Sequence, residues 1–165
     1  MLKALSITIE ALNNLATDLR IMPEVTTTFS EKIPHNFAVR IYYEDTDAGG
    51  IVYYANYLKF FERARTEWLR EIGVSQEAFL QQKLGFVVKK VDMEHLASAK
   101  LDDLVMVQSR IIQLKRASLV FQQQVINHDQ KVLCTATIRI ACVDLSLHKP
   151  CAIPELILGA FKRVS

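Results

Sequence analysis

Residues 43–57 read Tyr43-Glu44-Asp45-Thr46-Asp47-Ala48-Gly49-Gly50-Ile51-Val52-Tyr53-Tyr54-Ala55-Asn56-Tyr57. Acidic residues run into two glycines, and the glycines run into the start of a long segment with helical apolar spacing. That order brings a carboxylate close to a helix N-terminus. A carboxylate can act as general base or as nucleophile. The first N–H groups of a helix lack intrahelical acceptors and carry partial positive charge, so they can receive a developing negative charge. These are the two parts needed to attack an activated carbonyl. Gly49 and Gly50 allow a tight turn and a close approach by substrate.

The flanking elements must hold these groups in place. Residues 36–43 are rich in Phe, Val, Ile and Tyr and predict a strand that delivers the acidic cluster. Residues 55–72 predict a helix with Tyr57, Phe61, Ala64, Trp68 and Ile72 on one face, widened by Leu58 and Leu69. Arg63 and Glu67 are spaced to pair on its outer side. Gly73 suits the left-handed residue that ends a helix. A short helix over 75–83 follows, with Ser75 as its N-cap.

Strands are predicted over 86–93, 103–115, 118–127 and 131–144. In the last, Val132, Cys134, Ala136, Ile138, Ile140 and Cys142 face one way, and Leu133, Thr135, Thr137, Arg139 and Ala141 the other. Residues 127–130 (Asn-His-Asp-Gln) form a turn that makes the last two strands an antiparallel hairpin, and residues 115–117 are a second tight connection. The order is strand, long helix, short helix, four strands, an α+β arrangement. One helix cannot cover a flat five-stranded sheet. The sheet is therefore expected to curl around the helix and its edge to meet a second subunit.

Composition narrows the function classes. The length of 165 residues suits about one domain. Lys and Arg number 20 against 18 Asp and Glu, a net charge of +2, which is no footprint for nucleic acid or an anionic membrane. Cys134, Cys142 and Cys151 are odd in number and lack CxxC spacing, so they are expected to be free thiols filling the core in a reducing compartment. No Cys/His cluster suggests zinc.

Near the N-terminus, Leu2, Leu5, Ile9, Leu12, Ala16 and Leu19 form a helical stripe. Glu10 interrupts the apolar run and no small-residue cleavage site follows, so neither a signal peptide nor a membrane span is expected. Residues 22–34 look like linker. The expected organisation is an N-terminal extension over 1–35 and one domain over 36–165.

Several motifs carry a resemblance. Arg40-Ile41, Thr46-Asp47 and Gly50-Ile51-Val52, at their spacing, resemble the active-site signature of the 4-hydroxybenzoyl-CoA thioesterase family. The string from Tyr43 to Gly50, with Asn56-Tyr57-Leu58 and Glu62-Arg63-Ala64-Arg65, is similar to the bacterial acyl-CoA thioesterases associated with the Tol–Pal system. His95 to Asp103, Ser118 to Phe121, Cys142-Val143-Asp144 and Lys149-Pro150 extend the similarity, which covers roughly residues 37–162.

The resemblance implies a hotdog fold, a curved antiparallel sheet wrapped around a central long helix. It also implies a cytoplasmic homodimer or homotetramer with sites at the subunit interface. The implied reaction is hydrolysis of acyl-CoA to carboxylic acid and CoA, with no metal and no cofactor beyond the CoA of the substrate. Acyl carrier protein in place of CoA stays open.

By position, the family's catalytic Asp falls on Asp47, as base or nucleophile. A backbone N–H at the position of Tyr54, with Gly50 before it, is implied to hydrogen-bond the thioester oxygen. One such donor contributes roughly 3 kcal/mol to a transition state. Glu44 and Asp45 should raise neighbouring carboxylate pKa values by like-charge repulsion, while the helix-end dipoles lower them. Here the chain departs from its nearer look-alikes, which usually carry His where it has Tyr54. Tyr54 is expected to serve as a pocket wall.

Tyr43, Asn56 and Glu62 are supporting candidates: a ligand for the carboxylate, a brace for the glycine loop, and a reserve acid on the helix. Lys100, Lys115, Arg116 and Ser118 are candidates for the CoA phosphates, which favour Arg and Lys. His35, His95, His128 and His148 are scattered and form no visible dyad. Two other readings stand beside hydrolysis. One is a hotdog protein that binds acyl-CoA, or a partner, without turnover. The other is an acyl-thioester hydratase or dehydratase, which needs a catalytic His in the active loop, where the sequence offers none.

Overall fold

The computed structural model of the protein describes residues 33–164. The N-terminal helix and linker expected over residues 1–35 lie almost wholly outside the described residues.

Strand β1 (His35–Arg40) leads into a single 3-10 turn at Tyr43–Asp45. Helix α1 (Asn56–Glu71) and short helix α2 (Gln76–Gln81) follow, then β2 (Leu84–His95), β3 (Leu104–Leu114), β4 (Ser118–Ile126) and β5 (Val132–Asp144). The two-residue β6 (Lys149–Pro150) and helix α3 (Glu155–Val164) complete the described residues. All pairings are antiparallel, in the order β1-β3-β4-β5-β2, with β6 beside β5. Register shifts at Val88/Lys90 in β2 and at Ile111/Gln113 in β3 bend those strands and add to the curl of the sheet.

The curl can be read from α1. Its buried residues are Asn56, Tyr57, Phe60, Phe61, Ala64, Arg65, Trp68 and Leu69. At 3.6 residues per turn these positions sweep an arc of about 220°. A helix lying on a flat sheet buries a much narrower stripe. Phe60 and Phe61 are neighbours, about 100° apart on the helix, and both are fully buried. The sheet therefore wraps α1, which is the expected hotdog arrangement.

Most sequence-derived elements fold within two residues of their expected ends. The first strand is the exception: it stops at Arg40 because the 3-10 turn takes over at Tyr43. Leu58, expected to widen the buried face, is 38% exposed, and Phe60 buries instead. Glu67 pairs with Arg70 one turn on, rather than with Arg63. The Gly73 expectation holds in detail: φ is +80°, Gly73 N–H donates to Arg70 O at 3.0 Å and Val74 N–H to Leu69 O at 2.8 Å. The Ser75 hydroxyl caps α2, accepting from Ala78 N–H at 3.2 Å. In β5, Cys134, Ala136, Ile138, Ile140 and Cys142 are all buried while Arg139 is exposed, as the alternation requires. The start of the strand departs from it: Leu133, expected on the opposite face, is buried and Val132 only half-buried, because the register shifts there against Val125 and Ile126. Helix α3 was not expected; its Leu158, Ala160 and Phe161 join the core.

Candidate active site

The acidic segment is held by its own middle residue. Asp45 is 3% exposed, and its Oδ2 accepts from Tyr42 N–H at 3.0 Å across the 3-10 turn. Its carbonyl accepts from Asn56 Nδ2 at 2.9 Å and from Tyr53 N–H at 2.9 Å. Asp45 is thus a structural carboxylate turned into the fold. Asn56 braces the acidic turn against the first helical residue, rather than bracing the glycine loop.

With Asp45 fixed, the chain doubles back through a tight turn at residues 47–50. Gly50 N–H donates to Asp47 O at 3.0 Å, and Asp47 N–H donates to Ile51 O at 2.9 Å. Gly50 sits at φ +73°, which only glycine adopts without strain. Gly49 N–H donates to Asp47 Oδ1 at 2.8 Å and orients the carboxylate, which is exposed on the single chain.

Helix α1 starts without a side-chain cap, its Ala55 being already helical. The first helical residue is Asn56, so Tyr54 stands just ahead of the helix rather than within it. Among the described residues, the N–H groups of Tyr54 and Ala55 have no hydrogen-bond partner, whereas Asn56 N–H donates to Tyr53 O at 2.8 Å. Uncapped donors at a helix start carry the positive end of the dipole.

The opposite wall comes from the segment after β2. Val52 N–H donates to Ala99 O at 2.9 Å, Ala99 N–H donates to Tyr57 Oη at 3.0 Å, and Ile51 bridges Lys100. A cleft of about 410 Å³ opens between the two segments, lined by Asp47, Tyr54, Tyr57, His95 and Ser98 among others. The His95 ring packs edge-on against Tyr57, with centroids 5.2 Å apart, and against Tyr54 at 6.3 Å. Burial raises the Tyr57 pKa, partly offset by the hydrogen bond from Ala99. The Tyr53 hydroxyl is also raised, chiefly by its hydrogen bond with Tyr54.

The sequence candidates divide clearly. Asp47 and Tyr54 share the cleft, Gly50 shapes its turn, and Lys100 stands next to that turn through Ile51. Tyr43 does not join them: its ring is 84% exposed and only its carbonyl is used, by Thr46. Glu62 lies farther along α1, where its Oε1 accepts from Thr66 Oγ1 at 2.7 Å.

Lys115, Arg116 and Ser118 form the β3–β4 turn. Leu104, at the other end of β3, pairs with Arg40 beside the Asp47 loop. An 11-residue strand spans roughly 30 Å. Within one chain these three therefore cannot serve the Asp47 cleft.

No histidine lies in the active loop, yet His95 lines the same cleft as Asp47 from outside it. It lies 48 positions beyond Asp47 in sequence. It ends a β-run just before a short small-residue stretch, Ala97-Ser98-Ala99, and only the sheet order brings it to the cleft that Asp47 also lines.

A second cavity of about 250 Å³ lies along α1, lined by Glu62, Arg65, Leu69, Phe79, Phe86 and Phe121 among others. Arg65 is 8% exposed, and its Nη1 donates to Gln123 Oε1 at 2.7 Å. Burial lowers its pKa to about 10, against the opposing pull of Glu62. Gln123 in turn donates to Phe61 O at 3.1 Å and to Ser109 Oγ at 2.7 Å. Among the described residues no helix is long and apolar enough to cross a membrane.

Residues 41–161 match the thioesterase-like superfamily. The acyl-CoA thioesterase YbgC of Haemophilus influenzae is 48% identical over 127 residues, 76% of this chain and 93% of that protein. The acyl-CoA thioester hydrolase YbgC of Escherichia coli O157:H7 is 46% identical over 125 residues, covering 76% and 93%. Among solved structures, a probable thioesterase from Bartonella henselae superposes with a TM-score of 0.70 at 34% identity, covering 73% of this chain and 99% of that one.

Proposed function

This chain belongs to the thioesterase-like superfamily, and we propose that it hydrolyses acyl-CoA thioesters to free carboxylic acid and CoA, with Asp47 as the catalytic carboxylate. The observation that carries this reading is the pairing of an oriented carboxylate with unpartnered amides at an uncapped helix start, across one cleft. The names of its relatives, at 46–48% identity, point to the same chemistry.

The thioester carbonyl carbon lies toward Asp47 and its oxygen toward the Tyr54 N–H. Asp47 takes a proton from an attacking water, or attacks the carbon itself; both need its ionised form. Negative charge then grows on the carbonyl oxygen, where a fixed amide stabilises it without reorganisation. The Gly49 N–H on Oδ1 holds one carboxylate oxygen still and leaves the other to react. Lys100, tied to the turn through Ile51, supplies positive charge for a phosphate of CoA. The Tyr54 ring forms the wall of the cleft.

A homodimer fits the exposed edge of β2, where Val87 and Val88 are 42% and 53% exposed. An open strand edge pairs readily with a second copy. A partner would also bring its own Glu62, Lys115 and Arg116 as candidates for this cleft.

The test is release of free thiol from a panel of acyl-CoAs and an acylated carrier protein, comparing the wild type with Asp47→Asn. Turnover by the wild type, falling by at least about 10³-fold in a folded Asp47→Asn protein, supports the reading. Equal turnover in both removes Asp47 from its role. Binding without thiol release favours a non-catalytic acyl-CoA binder. His95 in the same cleft as Asp47 favours one second reading, hydration of an enoyl-CoA, which the same panel detects as loss of the conjugated double bond without free thiol.

A further inference from the structure

We infer that His95 is the proton donor to the departing thiolate at the Asp47 cleft, an assignment that rests on the hydrolytic reading above. The carboxylate and the helix-start amides serve two of the three atoms that change charge during thioester cleavage. The sulfur is the third. An alkyl thiol has an ordinary pKa of about 8.5, so near neutral pH its anion leaves more easily if it is protonated as the bond breaks.

The cleft offers few donors for that proton. Tyr57 is a phenol, a class that ordinarily titrates at about 10 and so is a weaker acid than the thiol it would protonate, and burial makes it weaker still against the pull of the Ala99 N–H. Tyr54 is likewise a phenol, of a class weaker in acidity than the thiol. Ser98 is far too weak an acid at neutral pH, and Asp47 is the base. Across the ladder from His95 stands Cys134, whose thiol is pushed up to about 12 by burial. Histidine is the side-chain type that changes charge near neutrality, and His95 is the histidine that lines this cleft.

Its placement is built rather than incidental. His95 is the last residue of β2, and the two N–H groups that follow it, from Leu96 and Ala97, both donate to Leu133 O at 2.8 and 3.0 Å. This clamps the strand end. The edge-on contacts with Tyr54 and Tyr57, at 89° and 69°, bracket the ring from two directions.

The step balances without a further reactant. Water oxygen bonds to the carbonyl carbon as its proton passes to the Asp47 carboxylate, and the oxyanion rests on the Tyr54 N–H. Collapse restores C=O and breaks the C–S bond, and the electron pair leaves on sulfur. Sulfur takes a proton from the His95 imidazolium. The proton held by Asp47 then returns to the imidazole through the next water. Thioester and water become carboxylic acid and thiol.

The test changes the leaving group while keeping the acyl group. An acyl-CoA releases an alkyl thiolate that needs the proton. The matching acyl p-nitrothiophenyl thioester releases an aryl thiolate that does not. His95→Gln, with His95→Asn as a second variant and thermal melts to verify folding, is compared with wild type and Asp47→Asn on both substrates. The expected result is a loss of about 10²-fold in kcat on acyl-CoA for the histidine variants, with the aryl thioester within about threefold of wild type on the same reasoning. Asp47→Asn loses both. An equal loss on both substrates, or unchanged acyl-CoA turnover in a folded histidine variant, overturns the assignment. Wild type that releases no thiol from any acyl-CoA refutes the hydrolytic reading itself and this assignment with it.

Discussion

Two neighbouring glycines in the Asp47 turn should fail in opposite ways when given a methyl group. At Gly49, an added Cβ would lie 3.1 Å from Asp47 Oδ1, closer than ordinary van der Waals contact. That oxygen is the one that accepts the Gly49 N–H at 2.8 Å. Gly49 has no left-handed backbone to protect, so Ala there strains nothing except the carboxylate, which must shift by a few tenths of an ångström. A misplacement of 1 Å can cost about 10²-fold in rate, so Gly49→Ala should lower kcat by about 3- to 10-fold.

At Gly50 the added Cβ meets nothing within 4 Å, but φ is +73°. An L-residue pays roughly 1–2 kcal/mol there. For a domain of this size that is about 4 to 8 °C in Tm. Melting curves and thiol-release kinetics on both variants decide the matter. Gly49→Ala should melt within about 2 °C of wild type, by the same conversion, while its kcat falls. Gly50→Ala should show the larger drop in Tm. A Gly49→Ala protein with full kcat would refute the claim that this carboxylate oxygen is held for catalysis. A Gly50→Ala protein with unchanged Tm would refute the turn geometry.

The buried Arg65–Gln123 pair predicts a second asymmetry. A fall in the Arg65 pKa from 12.5 to about 10 corresponds to about 3 kcal/mol of burial penalty. For a base with a lowered folded pKa, the unfolded chain holds the extra proton only between those two values, so at pH 7 the whole penalty stands and is relieved only above pH 10. Gln123→Leu strands that charge along with Ser109 and Phe61 O, and should cost about 3–5 kcal/mol in urea unfolding. Arg65→Met removes the charge and orphans a single amide oxygen, so it should cost less than about 1 kcal/mol; the reverse order would refute this account. The thiols give a third test. Burial pushes Cys134 and Cys142 up to about 12, with Cys151 adding to the effect on Cys142. Each should react with a disulfide reagent at pH 8 about 10³-fold more slowly in the native protein than after unfolding. Fast reaction of either in the folded, reduced protein would contradict that burial.

Local signals were enough for most of the fold. The left-handed Gly73, the Ser75 cap and the β5 alternation each depend on residues within a few positions of one another; the first two fold as expected, and the alternation does so from Cys134 onward. What the sequence hid is two-sided burial. Phe60 lies off the stripe that a one-faced helix would show and is buried only because the sheet curls past that stripe, while Arg65 lies between Phe61 and Leu69 on the buried arc but is of a charged type. Helix α3 has no such local signal, because the stretch before it, from His148 to Pro154, carries two prolines and no periodic run ahead of Glu155. Its apolar residues become legible as a helix only once a groove exists to receive Phe161.

The candidate site shows the same division. Asp47, its glycines and the helix-start amides are contiguous in sequence, so their proximity could be anticipated. Asp45 and Asp47 are both acids of one short run and cannot be told apart by type. The fold separates them, turning Asp45 onto Tyr42 N–H and leaving Asp47 open. His95 is a different case, because its position follows from the pairing of β2 with β5 and from the way the chain leaves β2.

One residue ties these parts together. The Tyr57 ring is buried in the core while its hydroxyl accepts from Ala99 N–H, and Ala99 O in turn accepts from Val52 N–H. The glycine turn, the helix start and the post-β2 segment are thus fixed to one another by a side chain that the hydrophobic core already holds rigid. The precision needed at the carboxylate, a few tenths of an ångström, is far finer than a surface turn could keep by itself. It is inherited from the packing of α1, which is why a wrapped helix rather than a flat helix-on-sheet layer suits this chemistry.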